Sequence, residues 1–213
     1  MKPELINTSG KKIYIRYMTS LRCKMAARSE MQKLGIEYSV SIFGAIQFTD
    51  ECTQEQFDML NKNLRKHGLA LLDERQSSII DKIINEIIEV IHYSDELPRY
   101  KYAELLHENI GNGETSFLQL FSDVQGISVL HFIILQKIER IKEMLLYEDF
   151  TLSDIAQKLY YKNEQSMTAQ FKKFTGLYPQ YFIDLKAHRE RIRKRTKDPD
   201  NKTVAADTTN VKQ

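Results

Sequence analysis

The chain has 213 residues, of which 42% are hydrophobic, and its 31 Lys and Arg nearly balance its 29 Asp and Glu, for a net charge of +2. This length fits two modest domains, and no apolar run approaches the roughly 20 residues of a membrane-spanning helix. Two cysteines give no disulfide framework, and the first five residues lack the apolar core of a signal peptide, so we expect a cytoplasmic protein without a membrane partner.

The first seventy residues predict a small α+β domain. Apolar alternation and apolar residues at helical spacing predict a strand at 12–17, a helix at 22–34, strands at 38–43 and 45–49, a helix at 53–66 and a strand at 69–72. This βαββαβ order predicts a ferredoxin-like sandwich, in which two helices cover four antiparallel strands. Because about seventy residues close such a core only marginally, we expect this domain to pack against neighbouring helices.

The loop before the first helix reads MTSLRC from Met18 to Cys23. It resembles the Met-x-Cys-x-x-Cys metal loop of heavy-metal-associated domains, but Ser20 stands where the first cysteine should be. A soft cation needs at least two thiolate or imidazole ligands, and a serine hydroxyl is a poor substitute. We therefore expect no metal site here, and interpret Met18 and Cys23 as parts of a degenerate loop; Cys52 is expected at the far end of the third strand. A metal site would require a second chain to donate its own Cys23.

The following region predicts helices only. A helical bridge is expected at 75–93, short helices at 102–106 and 114–123 with Gly126 as a stop, and a long linking helix at 127–147, which is rich in Ile and Leu and contains no Gly or Pro.

A second pair of short helices follows, at 151–159 and 163–174. Thr151 can cap the first helix, with Asp154 completing an imperfect capping box, and Gly176 ends the second. Two short helices around a tight turn are the layout of a helix-turn-helix DNA reader. The outward face of the second helix consists of Gln165, Thr168, Ala169 and Lys172, with Lys173 beside it. Amides pair with adenine, methyl groups pack on thymine and lysines neutralise phosphates.

Basic charge is concentrated in the same part of the chain. Residues 186–197 contain seven Lys or Arg and one acid, including Arg189 and Arg193 as candidate phosphate contacts. Residues 150–197 hold eleven Lys or Arg against four Asp or Glu, whereas residues 73–149 hold seven against fifteen. This asymmetry predicts that the second helix pair dominates DNA binding.

Three segments carry a resemblance to a known family. IERIKEMLL at 138–146, SDIA at 153–156 and QFKKFTGLYPQYF at 170–182 are similar, in order and spacing, to the C-terminal signature of the AraC/XylS transcription regulators. The resemblance covers roughly residues 75–195. It implies a bacterial regulator whose DNA-binding unit has two helix-turn-helix motifs joined by one long helix, with double-stranded DNA as its partner.

The first motif departs from this pattern, because Ser122 and Asp123 stand where the second motif has Lys172 and Lys173. Asp123 would lie close to phosphates rather than attract them. Two interpretations remain open: the first motif contacts bases weakly through Thr115, Ser116 or Gln119, or it mainly holds the second motif in place.

The sequence therefore predicts a sequence-specific transcription regulator with three parts: a ferredoxin-like domain at 11–73, an AraC-type DNA-binding domain at 74–195 and a disordered tail at 196–213. The predicted DNA contacts are Asn163, Gln165, Ser166, Thr168, Ala169, Lys172, Lys173, Thr115, Ser116, Gln119, Arg189 and Arg193. RNA polymerase and a second copy of the chain are further candidate partners.

An enzyme is not expected, and neither is a cofactor. The sequence contains no P-loop, no Gly-rich nucleotide fingerprint, no His-Glu-x-x-His and no nucleophile elbow, and its five histidines have no ligand spacing. Two alternatives to a regulator are a metal-handling or metal-sensing protein acting through the ferredoxin-like domain, and an interaction scaffold that has lost DNA binding through its acidic first motif.

Overall fold

The computed structural model describes residues 5–6, 10–41, 43–94 and 114–197, and only the backbone of residues 5–6, 114–116 and 195–197. The fold is mixed, mostly helical with small sheets. The chain divides into two compact units, Met1–Gln136 and Lys137–Gln213. The predicted domain boundaries, at 11–73, 74–195 and 196–213, remain predictions.

Short strands in the first unit form three small ladders. The strands are β1 Leu5–Ile6, β2 Lys12–Ile13, β3 Ile15–Arg16, β4 Tyr38–Val40, β5 Ile46–Phe48, β6 Cys52–Thr53 and β7 Ala70–Leu71. Strand β5 lies between β2 and β4, β3 pairs with β7, and β1 pairs with β6, all antiparallel. The four predicted strands are therefore present but shorter than predicted. The pairing of β1 with β6 was not predicted, and it leaves Cys52 buried beside Ile6.

The other regular elements of the described chain are helices. They are α1 Leu21–Lys33, α2 Gln54–Lys66, α3 Glu74–Ile88, α4 Glu114–Gln125, α5 Val129–Tyr147, α6 Leu152–Lys158, α7 Glu164–Thr175 and α8 Pro179–Lys197, and a π-helical turn, Glu89–Tyr93, follows α3. The predicted short helix at 102–106 lies outside the described residues. Within those residues, no single helix is long and apolar enough to cross a membrane, and only the bent pair Phe117–Gln125 and Val129–Tyr147 reaches that length and apolarity together.

Helix caps explain where α1 and α2 begin. The Ser20 hydroxyl accepts a hydrogen bond from the backbone N–H of Cys23 at 3.2 Å, and Thr53 forms a reciprocal capping box with Gln56. Both helices pack on one face of the strands. The shared core is apolar and consists of Ile13, Ile15, Ala27, Met31, Ile36, Ile46, Phe48, Cys52, Leu60, Leu64 and Leu69.

Alternation at 12–17 predicts a strand with one buried and one exposed face, but the structure buries both faces at 13–15. Ile13, Tyr14 and Ile15 are all buried. Alternation would leave Tyr14 exposed to solvent, but α3 packs against β2 and covers it. The Tyr14 hydroxyl donates to Asp81 at 2.7 Å, and the Tyr14 backbone N–H donates to Ser77 at 3.2 Å. Burial, followed by the hydrogen bond to Asp81, raises the pKa of Tyr14. This packing of the strands on a neighbouring helix was expected for so small a domain.

The helical half contains an internal repeat with a period of fifty residues. Helices α4 and α7 each have 12 residues, and α5 and α8, which follow them, each have 19. Phe121 meets Phe132 edge to face at 5.5 Å, and fifty residues later Phe171 meets Phe182 in the same way at 5.5 Å. The repeated ring pair fixes each 12-residue helix against the helix that follows it.

Candidate nucleic-acid interface

The second predicted motif begins with a capped helix, α6. The Thr151 hydroxyl accepts from the backbone N–H of Asp154 at 3.1 Å, and the Asp154 carboxylate accepts from the hydroxyl of Thr151 at 2.6 Å and from its backbone N–H at 2.9 Å. These hydrogen bonds, that of the hydroxyl first, lower the pKa of Asp154. Ile155, Ala156 and Leu159 are buried, so the predicted capping box and apolar face are confirmed.

The turn between α6 and α7 is held by a lysine from α5. Lys137 donates to the Leu159 carbonyl at 2.8 Å and lies 5.2 Å from the centre of the Tyr161 ring. The Tyr161 hydroxyl in turn donates to Gln170 of α7 at 2.6 Å. Burial lowers the pKa of Lys137 to about 8 and raises that of Tyr161 to about 12. Tyr160, at φ 53, takes the left-handed conformation that turns the chain. Sequence reasoning missed this role of Lys137.

Helix α7 has a defined start and a defined end. Asn163 and Ser166 form a reciprocal capping box, in which the Asn163 side chain accepts from the Ser166 backbone N–H at 2.8 Å. Gly176 ends the helix at φ 76. Met167 and Phe171 are fully buried on the inner side. Asn163 and Ser166, two of the predicted DNA contacts, therefore stabilise the N-terminus of α7.

The outer side of α7 carries five further predicted contacts, which we call the reading face: Gln165, Thr168, Ala169, Lys172 and Lys173. All are exposed except Thr168, which is half-buried. The Lys172 ammonium donates to the Tyr178 hydroxyl and lies 4.1 Å from the centre of that ring. Tyr178, which is 53% exposed, therefore belongs to this surface, although the sequence analysis did not select it. Tyr178 lies two residues after Gly176, which ends α7, and this position in the sequence could have indicated that its side chain is close to the reading face.

The basic helix α8 is used in two different ways. Lys186 donates to the Glu148 carbonyl at 2.8 Å and to the Asp149 carboxylate at 2.6 Å, and this hydrogen bond lowers the pKa of Asp149. One lysine of the basic run, Lys186, therefore forms contacts within the second unit. Arg189 and Arg193 are exposed.

In the first predicted motif, α4 places Gln119 and Asp123 on consecutive turns. The Gln119 amide donates to the Asp123 carboxylate at 2.9 Å, and Arg16 forms an ion pair with the same carboxylate at 3.0 Å. The side chains of Thr115 and Ser116 lie outside the described residues. Asp123, the acid that the sequence predicted to lie near phosphate, is therefore paired with Arg16 of β3 in the same unit.

No group of three or more His, Cys, Asp or Glu side chains suited to a metal ion occurs among the described residues. In the loop resembling a metal site, Ser20 donates to the Cys23 sulfur at 3.1 Å while capping α1, and Cys23 is half-buried.

The family comparison bears on the helical half. Residues 107–184 match a family model described as a helix-turn-helix domain. This part of the chain is therefore similar to helix-turn-helix domains. The match begins after the predicted helix at 102–106 and covers α4, the linking helix α5, α6 and α7.

Relatives with the same kind of domain are regulators by name. The chain is 30% identical over 110 residues to an uncharacterized HTH-type transcriptional regulator, YtdP, of Bacillus subtilis (strain 168), and 28% identical over 109 residues to another, SAS0078, of Staphylococcus aureus (strain MSSA476). The matches cover 51% and 50% of this chain and 14% of each relative. The chain therefore spans only a small part of the length of these relatives.

Two solved structures are also similar to this chain. The C-terminal domain of AraT, a response regulator from Geobacillus stearothermophilus, has a TM-score of 0.45 and 22% identity, over 52% of this chain and 88% of that domain. The DNA-binding domain of AdpA, a global transcriptional factor solved with a target DNA, has a TM-score of 0.41 and 16% identity, over 57% and 97% of the two chains.

Proposed function

We propose that this chain is a sequence-specific, non-enzymatic transcription regulator of the AraC/XylS type that acts in the cytoplasm on double-stranded DNA. The observation that carries the proposal is the reading face of α7. It contains no acid and is exposed except at the half-buried Thr168, and it lies on a helix capped at both ends within the region that matches a helix-turn-helix model.

The mechanism follows from the side chains on that face. Helix α7 enters the major groove, where the Gln165 amide pairs with a base edge and the methyl groups of Thr168 and Ala169 pack on thymine. Lys173 and the exposed arginines of α8 neutralise phosphates, which sets the register without reading sequence. Lys172 is held against Tyr178, so we propose that this pair contacts the backbone as one unit.

The N-terminal strands and helices are proposed to form a ferredoxin-like accessory domain. The support is the antiparallel strand order, in which β7 pairs with the segment containing β2 and β3, β5 follows and β4 lies at the other edge, with α1 and α2 on one face. We propose that this domain, which resembles the heavy-metal-associated domains, no longer binds metal, because Ser20 caps α1. Contacts with RNA polymerase and with a second copy of the chain are assigned to the same domain as part of the proposal.

The test is a selection of bound sequences from a pool of random duplexes, followed by titration at several salt concentrations. A regulator should enrich a common sequence and bind it with a steep salt dependence. Helical folding with no salt-dependent affinity for any duplex would favour the interaction scaffold instead. Stoichiometric binding of a thiophilic ion, lost in Cys23→Ser, would favour metal handling.

Replacing Gln165 with alanine tests the reading face directly. Loss of the amide should reduce discrimination at one base position by about 1–3 kcal/mol, while affinity for unrelated sequences stays the same. Gln32→Ala, at an exposed glutamine of α1, is the matched control. If Gln165→Ala kept the full sequence preference, α7 would not be the recognition helix.

A further inference from the structure

The end of α4 is held by residues from the strand segment at the start of the chain. The Tyr17 backbone N–H donates to the Asp123 carbonyl at 2.7 Å, and Arg16 forms an ion pair with the Asp123 carboxylate at 3.0 Å. The Asp123 side chain is only 13% exposed, and that of Arg16 is 34% exposed. One residue of the first motif is therefore bound through both its backbone and its side chain.

The turn that follows α4 is held equally closely. Gln125 donates from its amide to the Phe43 carbonyl at 2.9 Å, and the Phe43 ring meets Phe132 of α5 edge to face at 5.6 Å. Gly126 lies so near Thr19 that a methyl group added to it would come within 2.8 Å of the threonine methyl. Two loops of the N-terminal part thus contact the helix end and the turn.

The backbone conformation of Tyr17 indicates that this contact is specific. Its φ of 65 lies in the left-handed region, which is unfavourable for a residue with a bulky side chain. Such a conformation persists where surrounding contacts fix it, and here the backbone N–H of the same residue bonds to Asp123. The Tyr17 hydroxyl also reaches the Asp123 carboxylate, at 3.5 Å.

The electrostatic consequence concerns the end of α4, where an unpaired acid would repel a nearby duplex. Both carboxylate oxygens of Asp123 are engaged, one by the Gln119 amide and one by Arg16. Without Arg16, this position would carry an uncompensated negative charge beside a polyanion. Fifty residues later, the second motif has Lys173 at the same place.

We propose that Arg16 is a positioning residue for DNA binding, which neutralises Asp123 and fixes the end of α4 so that the first motif can approach the duplex. This role rests on the proposed function. It explains how a motif with an acid where the second motif has Lys173 remains compatible with DNA.

The test is a double-mutant cycle on the full chain, titrated with a duplex obtained by the selection described above. Arg16→Gln should weaken binding on the order of 3- to 10-fold, because it exposes the charge of Asp123. Asp123→Asn should bind at least as tightly as the wild type, and the Arg16→Gln/Asp123→Asn double variant should recover most of the loss. Arg16→Lys, which keeps the charge, should bind nearly as the wild type does. Arg65→Gln, at an exposed arginine of α2, controls for the change in net charge.

Thermal unfolding of each variant separates this role from a purely structural one. If Arg16 acted only through stability, Arg16→Gln and Asp123→Asn would lower the melting temperature and the DNA affinity together, and the double variant would not recover; that result would overturn the proposal. Equal affinity of wild type and Arg16→Gln would also overturn it, while leaving the proposed function intact. Failure of the wild type to bind any duplex would overturn the proposed function and this role together.

Discussion

The two repeats of the helical half share their framework and differ in their surface. Each repeat has a 12-residue helix that ends at a glycine with positive φ and a 19-residue helix that follows, with an edge-to-face phenylalanine pair between them. The outer positions differ: Lys172 and Lys173 in the second repeat correspond to Ser122 and Asp123 in the first. The lysines are exposed, whereas Asp123 is held by Arg16. One framework can therefore carry an exposed basic surface in one repeat and an intramolecular contact in the other.

The largest expected effect tests the shared framework. Phe121 and Phe171 are both fully buried, so replacing either with alanine should cost about 3–5 kcal/mol of unfolding free energy. Urea denaturation would measure both losses, with Leu130→Ala, at a leucine 67% exposed, as the control. A loss confined to one of the two phenylalanines would break the structural equivalence of the repeats.

A pH titration should separate the turn of the second motif from the rest of the chain. The pKa of Lys137 is about 8 in the folded chain, below its ordinary value of 10.5, so between these pH values the unfolded chain binds the extra proton. The unfolding free energy of the wild type should therefore rise with pH across this window, by up to about 3 kcal/mol relative to Lys137→Met. Denaturation of both proteins between pH 7 and about 10 would measure it. A pH-independent difference would mean that Lys137 is not held in the buried environment described.

The two terminal glycines should respond unequally to the same change. Both have positive φ, so alanine at either position should cost on the order of 1 kcal/mol. Gly126→Ala should cost more than Gly176→Ala, because only the former brings a methyl group to 2.8 Å from Thr19, whereas the latter meets open space. Adding Thr19→Ser to Gly126→Ala should remove part of the excess. Equal losses in thermal unfolding would show that the contact between Thr19 and the turn is not close in solution.

The smallest effect distinguishes the two surfaces by salt. Lys173→Ala should lower the slope of log affinity against log salt by about 0.9, the contribution of one phosphate contact, and Lys62→Ala on α2 should not. Ser122→Lys introduces into the first motif the lysine that the second has at position 172. A slope increased by about one unit would indicate that the first motif lies against the phosphates, and an unchanged slope would favour its role as a support for the second.

Local features of this fold were predictable from sequence, and contacts between distant segments were not. The cap at Thr151, the stops at Gly126 and Gly176 and the buried face containing Phe171 depend on neighbours within a few residues, so spacing alone revealed them. The pairing of Arg16 with Asp123 joins residues 107 positions apart. Counting charges by region could not show that this acid is neutralised.

The same limit applies inside the basic run and the first strand. Lys186 counted towards the basic charge of residues 150–197, yet it bonds to Asp149. Tyr14 fitted an alternating pattern as a solvent-facing residue, yet α3 covers it. In both cases the partner belongs to another helix or loop, and periodicity within one segment carries no information about it.

The cap at Ser20 has a consequence for any attempt to introduce a metal site into this loop. Ser20 is the N-cap of α1, because its hydroxyl accepts a hydrogen bond from the Cys23 backbone N–H. Introducing a cysteine at this position would exchange a good N-cap for a poor one, at a cost of about 1 kcal/mol of helix stability. The metal-free variant would therefore be less stable than the present chain. Metal binding would first have to offset this loss before it increased the stability of the domain.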